Sequence, residues 1–416
     1  MRPDAAAEGP APAAAPVAAA PAPAEAVRID ARPPTGTEPL LLVGLQRRVP
    51  RLRVVATGEM DVLGPDGRVL ARVREGDDLL LQPGAGVVVL GGGRVGSARE
   101  VELRVAPGGR LRVDGTGYLG PLLVRRDAQG LTLIERLPLE AYLRGVVPAE
   151  LGRRPAAELE AVKAQAVIAR TYALRNRGRW RGEGFDLLGT TGDQVYGGAD
   201  AHDPVADDAL RLTRGEVLAA GGQPVDAFFH STCGGRTEDG PAIFRGSDGQ
   251  YLRAVDDVDD EGRAYCRDSP RFRWRERWDE AALAASLARG LPPSRRLPTA
   301  ELRALRDLRI TGRTASGRVA AVELETAERR VPLDGPTLRL ALRLPGGEPM
   351  RSTAVAFTVT RGAGGRLAAL EAEGRGAGHG VGLCQWGAIG RARAGHGYRR
   401  ILGAYFPGTT LERRWR

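Results

Sequence analysis

The residues LPLEAYLRGVVPAELGRRPAAELEAVKAQAVIARTYALRNRGRW, 137–180, and their continuation RGEGFDLLGTTGDQVYGG, 181–198, decide the fold of this chain. Apolar residues recur every three or four positions in two separate stretches, which predicts two amphipathic helices. Pro138 and Pro155 each suit the first turn of a helix, and Gly178 suits the end of one. The segment is therefore predicted to form two consecutive helices that pack through their apolar faces.

A short loop, residues 148–154, is predicted between these helices, and its one carboxylate belongs to Glu150. Loops that are held by rigid elements often carry reactive groups. A carboxylic acid with a raised pKa can give and take back a proton at neutral pH. Glu150 is therefore the first candidate for a catalytic residue. The alternative is a glutamate that caps a helix or is simply solvated.

Composition limits the class of protein. The 416 residues are 42% hydrophobic and 27% charged, which is typical of a globular chain with about two or three domains. The net charge of +10 reflects either compositional drift or attraction to a polyanion. Aromatic residues do not interleave with the basic ones, so no nucleic-acid partner is predicted. Three cysteines are too few for a disulfide scaffold, and no apolar run reaches the roughly 20 residues of a transmembrane segment.

The predicted fold class is α+β, with antiparallel β elements on both sides of a central helical block and several lobes around a cleft. Residues 1–39 are rich in Ala and Pro, are predicted to be disordered, and lack a clear signal peptide. The remaining predicted regions are an N-terminal β subdomain (40–135), a core with the Glu150 loop, the long helix and the Cys/His residues (136–270), an inserted α/β subdomain (271–350) and a C-terminal core part with a Gly-rich GHGVG and QWGA loop (351–416).

The first segment resembles the stage II sporulation protein D family, which includes the amidase enhancers. The similarity rests on the stretch LPLEAYLRGVVPAE, which ends at Glu150, and on KAQAV-ARTYA at residues 163–173, and it extends over roughly 45–411. It implies cleavage of peptidoglycan glycan strands, those lacking stem peptides, by lytic transglycosylation. In that reaction the 6-hydroxyl of the sugar attacks the anomeric carbon, so one glutamate acts first as acid and then as base and leaves a 1,6-anhydromuramic end.

Two other functions stay open at this point. The amidase enhancers of the family suggest a non-catalytic partner that stimulates a cell-wall amidase. The positive charge alone would suit a wall-binding protein without turnover, whose binding salt would weaken. Each of these functions implies an extracytoplasmic protein, in the periplasm or at the cell surface.

Several further residues are predicted to bind the substrate. They are Lys163, Arg170, Gln194, Tyr196, His230, His379 and Gln385. Lys163 and Arg170 share one helix face two turns apart. Gln194 has an amide that can pair with sugar hydroxyls, and Tyr196 has a ring that can stack on a sugar. The family resemblance implies that His379 and Gln385 lie in one wall of the cleft. The alternatives are surface charge, turn structure and core packing.

The cysteines permit three interpretations. Cys233 and Cys266 would form a disulfide in an oxidising compartment. Together with His230 they would instead offer three ligands to zinc, which some members of the resembled family carry near this point. Free thiols that pack as small apolar groups are the third interpretation. No cofactor is required for the predicted reaction, and a zinc ion here would be structural.

Overall fold

The computed structural model describes residues 25–91 and 94–416, so residues 1–24 of the predicted disordered segment lie outside it. Residues 25–39 differ from that prediction because they pack on the body of the protein. Strand β1 (Arg28–Ile29) pairs in parallel with β25 (Thr410–Arg413), and Val27 is buried beside it. The pairing partner lies almost 400 residues away in sequence, which a local composition argument does not detect.

The N-terminal β subdomain consists of twelve strands within the described residues. They are β2 (Leu40–Val49), β3 (Leu52–Ala56), β4 (Met60–Leu63), β5 (Val69–Val73), β6 (Asp78–Pro83), β7 (Val87–Gly91), β8 (Arg94–Ala98), β9 (Glu100–Val105), β10 (Leu111–Val113), β11 (Thr116–Tyr118), β12 (Leu122–Asp127) and β13 (Gly130–Pro138). One sheet has the order β11-β10-β3-β6-β7-β8 and the other contains β2-β13-β12-β9-β4-β5. Alternate apolar residues of both sheets form one buried core. In the sequence, Gly-Pro-Asp-Gly at 64–67 between two apolar runs predicts a hairpin, and the pairing of β4 with β5 confirms it.

The helical core follows directly, because β13 runs into the first helix without a connecting loop. Its elements are α1 (Leu139–Leu151), α2 (Leu159–Arg175), β14 (Leu187–Leu188), α3 (Pro204–Leu212), β15 (Glu216–Ala220), β16 (Gln223–Pro224), β17 (Phe229–His230), α4 (Gly240–Ile243), β24 (Leu383–Cys384), α8 (Gln385–Arg393) and α9 (Tyr398–Tyr405). Helix α2 lies at the centre and is buried over most of its length. Its alanines, among them Ala164, Ala166 and Ala169, leave room for the neighbouring helices to approach closely.

Helix α1 continues through Leu151, so the prediction of a loop at 148–154 is wrong for its first four residues. Proline usually ends a helix at the preceding residue, yet Pro148 lies inside the last turn. Burial of Val147 and Leu151 in the core holds this turn in helical form. The helix closes where the N–H of Gly152 donates to the carbonyl of Pro148 at 2.9 Å. Glu150 therefore projects from a rigid helix end and not from a loop.

The inserted subdomain has a hydrophobic core of its own. Its elements are β18 (Arg273–Asp279), α5 (Glu280–Gly290), α6 (Thr299–Arg303), β19 (Asp307–Arg313), β20 (Val319–Glu325), β21 (Arg330–Asp334), α7 (Gly335–Ala341), β22 (Val355–Arg361) and β23 (Leu367–Arg375). The strands form two three-stranded sheets, β18-β23-β22 and β19-β20-β21. The buried cluster extends from Trp278 to Ala372, past the predicted boundary at 350, because β22 and β23 pair with β18.

A short parallel strand pair connects distant parts of the helical core. The sequence predicts that the strand ending at His230 returns as the second half of a hairpin that turns at 221–222. The hairpin is formed by β15 and the short strand β16 alone, and β17 pairs in parallel with β24, so that His230 lies opposite Cys384.

The architecture, with mostly antiparallel sheets around a helical block, is the predicted α+β class. Within residues 25–91 and 94–416, no helix combines the length and the apolarity that a membrane crossing would need.

Candidate active site

Glu150 occupies the last turn of α1, with the loop of residues 189–198 against its side chain. Its Oε1 accepts a hydrogen bond from the N–H of Val195 at 2.6 Å. Its Oε2 has no partner among the described residues and is not buried, so this oxygen faces solvent. On the other side, Nε2 of Gln385 donates to the backbone carbonyl of Glu150 at 3.2 Å. One carboxylate oxygen is thus fixed and the other is accessible.

Burial raises the pKa of Glu150 above its ordinary value of 4.5, and the hydrogen bond from Val195 opposes this rise in part. Removal from water disfavours the charged form of a carboxyl group, whereas a donor to the carboxylate favours it. Because burial has the larger influence, the protonated acid persists to higher pH than in an exposed glutamate. A half-buried acid of this kind can give a proton to a bound molecule and take it back.

Asp193 anchors the loop that presents Val195. Its carboxylate is inaccessible to solvent and accepts four hydrogen bonds, from Tyr172 Oη at 3.1 Å, Arg179 Nη1 at 2.9 Å, Trp180 Nε1 at 2.7 Å and the N–H of Leu188 at 2.8 Å. A carboxylate with all its lone pairs engaged is a structural group. The loop is therefore held rigidly, and the N–H of Val195 has a fixed position next to Glu150.

Two residues of the same loop that are predicted to bind sugar are used inside the protein instead. Gln194 is completely buried, and its amide bonds to Tyr142 and to the backbone of Ala169. The hydroxyl of Tyr196 donates to the carboxylate of Glu135 at 2.8 Å, and burial raises its pKa. Both predictions of sugar contact disagree with the structure, because the loop turns these side chains toward the core.

The close approach of this loop to α1 depends on Gly145. A Cβ atom at that position would lie 2.4 Å from the ring of Tyr196, much closer than van der Waals contact allows. The N–H of Gly197 also donates to the carbonyl of Gly145 at 3.0 Å. A glycine is thus required where the loop crosses the helix.

The two cations of α2 that are predicted to bind substrate have different environments, and both are paired with carboxylates. Arg170 is completely buried and forms a bidentate ion pair with Glu140, at 2.9 and 2.8 Å. Its prediction as a substrate-binding residue is therefore wrong in this structure. Lys163 is half-buried, pairs with Glu160 at 2.6 Å and lies 4.7 Å from the ring centre of Tyr398.

The Gly-rich segment positions its histidine through the backbone. The N–H of Val381 donates to Nδ1 of His379, so Nε2 carries the proton and donates to the carbonyl of Phe229 at 2.9 Å. Burial, with repulsion from Arg339, lowers the pKa of His379 to about 3. His379 is thus neutral with both nitrogens engaged, and in this conformation it offers no group to a substrate. Gln385 is buried as well, and it acts on Glu150 through the backbone contact described above.

One feature beside Glu150 is not among the residues predicted to bind substrate. The guanidinium of Arg154 lies 5.6 Å from the centre of the Trp386 ring, and both side chains are half-buried. Trp386 immediately follows Gln385, which touches Glu150. An Arg and a Trp side chain in cation–π contact present a partly apolar surface of the kind that a sugar ring covers. Near Glu150 in the sequence, the only sign of this contact is the arginine four residues later. Such an arginine cannot be distinguished from an ordinary charged surface residue.

The cysteines converge on one buried cluster that the sequence predicted only in part. Ligand atoms of Cys233, Cys266, Cys384 and Asp257 all lie within 4.8 Å of one another. His230 does not join them, contrary to the zinc-ligand prediction. Its Nδ1 lies 3.1 Å from the carbonyl of Val381, and burial lowers its pKa.

The donor set fits a structural zinc ion. Tetrahedral zinc with Zn–S bonds of about 2.3 Å needs sulfurs about 3.8 Å apart, and Sγ of Cys233 lies 3.5 Å from Sγ of Cys266. A disulfide bond of about 2.05 Å is not formed. Oδ1 of Asp257 accepts from Arg391 at 3.0 Å and from Tyr405 at 2.8 Å, and Oδ2 faces the thiols. Such outer contacts orient a carboxylate ligand.

Comparison with known proteins gives consistent matches. The profile described as stage II sporulation protein covers residues 127–219, and a domain of unknown function (DUF8618) covers 247–382. An uncharacterized protein of Brachyspira hyodysenteriae is 28% identical over 72% of this chain and 73% of its own length. The stage II sporulation protein D of Bacillus subtilis is 28% identical over 67% of this chain and 76% of its own length.

A further relative is the amidase enhancer of Bacillus subtilis, which is 28% identical over 73% of this chain. The match spans only 45% of that longer protein. The profile match includes α1, Glu150, α2 and the loop of residues 189–198, which together form the candidate site. Residues 127–219 therefore match the stage II sporulation protein domain, and the chain as a whole is similar to stage II sporulation protein D and the amidase enhancer.

Proposed function

We propose that this protein acts on the bacterial cell wall and cleaves peptidoglycan glycan strands by lytic transglycosylation. One observation carries the proposal: Glu150 is a half-buried acid with a raised pKa, one fixed oxygen and one oxygen open to solvent. The similarity to stage II sporulation protein D and the amidase enhancer supports a role in the cell wall. Because the polymer lies outside the cytoplasm, the proposal places the protein there as well.

The reaction needs one carboxyl group that works twice. Protonated Glu150 gives its proton from Oε2 to the glycosidic oxygen, and the bond between that oxygen and the anomeric carbon breaks. The 6-hydroxyl of the same muramic residue then attacks the anomeric carbon, and its proton returns to Glu150. No water is consumed, so the second carboxylate that glycoside hydrolysis usually requires is not needed. The N–H of Val195 holds Oε1 throughout.

The surface beside Glu150 would hold the sugar. The pair Arg154 and Trp386 would offer a surface to one ring, and the rigid end of α1 supports the acid beside it. Positioning of this kind contributes much of the catalysis when bond cleavage depends on a single acid.

Product analysis tests the proposal directly. Purified protein, incubated with glycan strands from which an amidase has removed the stem peptides, is expected to release fragments that end in 1,6-anhydromuramic acid. Mass spectrometry distinguishes these ends, because each is lighter by one water than a hydrolytic end. The exposed variant Glu261→Gln should give the same products at the same rate. Fragments with reducing ends, or no fragments, would contradict the proposal.

A second candidate function follows from the amidase enhancer among the relatives. In this case the chain alone would release nothing from the glycan and would instead raise the rate of a cell-wall amidase on intact peptidoglycan. Adding such an amidase to the same assay separates the two functions, since only the enhancer role requires it.

We also propose that Cys233, Cys266, Cys384 and Asp257 bind a structural zinc ion. The ion would join the chain after β17 to the start of α8, the helix that carries Gln385 and Trp386. Its role would be to hold that side of the candidate site in place, and it takes no part in the proposed chemistry.

Metal and thiol analysis separates the zinc site from the two other interpretations. About one zinc per chain is expected, with a large fall in Tm after chelation. All three thiols should react once the protein is denatured with a chelator and without reductant. A disulfide would leave one reactive thiol of the three, and three free thiols without zinc would contradict the metal site. The variant Cys384→Ser should lose most of the bound zinc.

A further inference from the structure

The exposed face of the sheet β18-β23-β22 carries a ladder of cross-strand charge pairs. Arg277 of β18 lies opposite Glu371 of β23 and forms a salt bridge with it at 2.6 Å. Two residues along, Arg275 lies opposite Glu373 and also forms a salt bridge. Opposite charges at facing positions stabilise a sheet, so these two pairs are explained by the fold itself.

The next step of the ladder breaks this pattern. Arg273 lies directly opposite Arg375, both are exposed, and neither forms a salt bridge with another residue of the described chain. Like charges at facing positions destabilise a sheet. The arrangement places two guanidinium groups side by side, because the nearest carboxylate along the ladder, that of Glu373, is already paired with Arg275.

A third guanidinium is fixed at the same end of the sheet. Arg313 donates to the backbone carbonyls of Gly317 at 2.8 Å and Val355 at 3.0 Å. These bonds orient the side chain without neutralising its charge. Arg273, Arg313 and Arg375 line one cleft of about 620 Å³, and Trp274 forms part of its wall. The salt-bridged pair Arg275 and Glu373 also lines this cleft, and its charges cancel each other. The indole N–H of Trp274 donates to the carbonyl of Gly376 at 2.9 Å, which fixes the ring.

We propose that this arginine cleft, defined by Arg273, Arg313, Arg375 and Trp274, binds the free lactyl carboxylate of muramic acid on peptide-free glycan. Guanidinium groups bind carboxylates through paired hydrogen bonds, and an indole ring offers a face to a sugar. In intact peptidoglycan this carboxyl group is an uncharged amide that bears the stem peptide. The cleft therefore recognises strands from which an amidase has already removed the peptides.

This inference rests on the proposed function for the identity of the polymer, but its test does not depend on turnover. Binding is measured by calorimetry on the Glu150→Gln chain, with peptide-free glycan oligomers as the probe. The double variant Arg273→Gln/Arg375→Gln in that chain should bind about tenfold more weakly or worse, because it loses two charge-assisted contacts. The matched control Arg277→Gln/Arg361→Gln removes the same number of charges from the same sheet but outside the cleft, and it should bind as before.

Two further probes identify the group that is recognised. Oligomers whose carboxylates have been converted to methylamides, and neutral chitin oligomers of equal length, should bind equally to the parent chain and to the double variant. Equal affinity of parent and double variant for peptide-free glycan would overturn the inference. The inference would also be overturned if the double variant bound peptide-free glycan like the parent chain but bound polyglycerol phosphate more weakly. The cleft would then recognise phosphate groups and not carboxylates. Failure of the proposed function would show instead as missing anhydromuramic products in the wild-type protein.

Discussion

Glu150→Gln is expected to lower the rate of anhydromuramic product formation about a thousandfold, within the range that general acid–base groups contribute. Glutamine keeps an oxygen that accepts the hydrogen bond from Val195, so the geometry is retained while the proton is lost. The wild-type rate should fall as the pH rises through the raised pKa of Glu150, because the ionised carboxyl group cannot act as an acid. Retention of full activity by the variant would exclude Glu150 as the proton donor.

The stability of the same variant gives an independent check. A carboxyl group whose pKa is higher in the folded protein than in the unfolded chain makes ionisation unfavourable to the fold. This cost is absent below the ordinary value of 4.5 and grows as the pH rises toward the raised pKa. Glu150→Gln should therefore have a Tm equal to or above that of the wild type at pH 8, with the difference vanishing near pH 4. A clearly lower Tm at pH 8 would mean that the residue is structural.

Arg170→Met is expected to destabilise the protein by about 3–5 kcal/mol, the cost of breaking a buried ion pair from one side. The substitution leaves Glu140 charged in the core, with only the N–H groups of Gly215 and Trp415 as donors. Denaturant unfolding, followed by circular dichroism, measures the loss. If Arg170 bound substrate instead, the variant would keep its stability and raise KM.

Two controls refine this result. The double variant Arg170→Met/Glu140→Gln removes the stranded charge while its amide oxygen still accepts from Gly215 and Trp415, so part of the stability should return. Lys163→Met, on the same helix, breaks an ion pair that is only half-buried and should cost less than about 1 kcal/mol. Equal losses in the two single variants would contradict the burial argument.

Sequence periodicity predicted the elements of the fold well. The apolar spacing around α1 and α2 and the turn at 64–67 are local signals, and the structure confirms them. The end of α1 was misjudged because packing of Leu151 overrides the usual effect of Pro148. The local spacing of apolar residues indicates which face of a helix is buried. It does not indicate where packing in the core keeps the last turn helical.

The candidate site was harder to predict, because its contacts join residues far apart in sequence. Gln194 and Arg170 have polar side chains that suit sugar binding, and only their partners, Ala169 and Glu140, reveal that they are internal. Likewise, Cys384 meets Cys233 through the parallel pairing of β17 with β24, and Asp257 meets it through a bridge between Arg236 and Asp256. No spacing rule relates residues that are brought together by such pairing.

The position of β25 between β1 and β15 has a consequence for folding kinetics. The indole of Trp415 reaches Glu140 across 275 positions of the chain, and β15 meets β25 across almost 200. Contacts at such separation form slowly, since a long loop must close before they stabilise anything. Helices α8 and α9, which precede β25 in the chain, pack on α2. Until this C-terminal part docks, that side of α2 is uncovered, and the nascent protein passes through an aggregation-prone stage in which chaperones are useful.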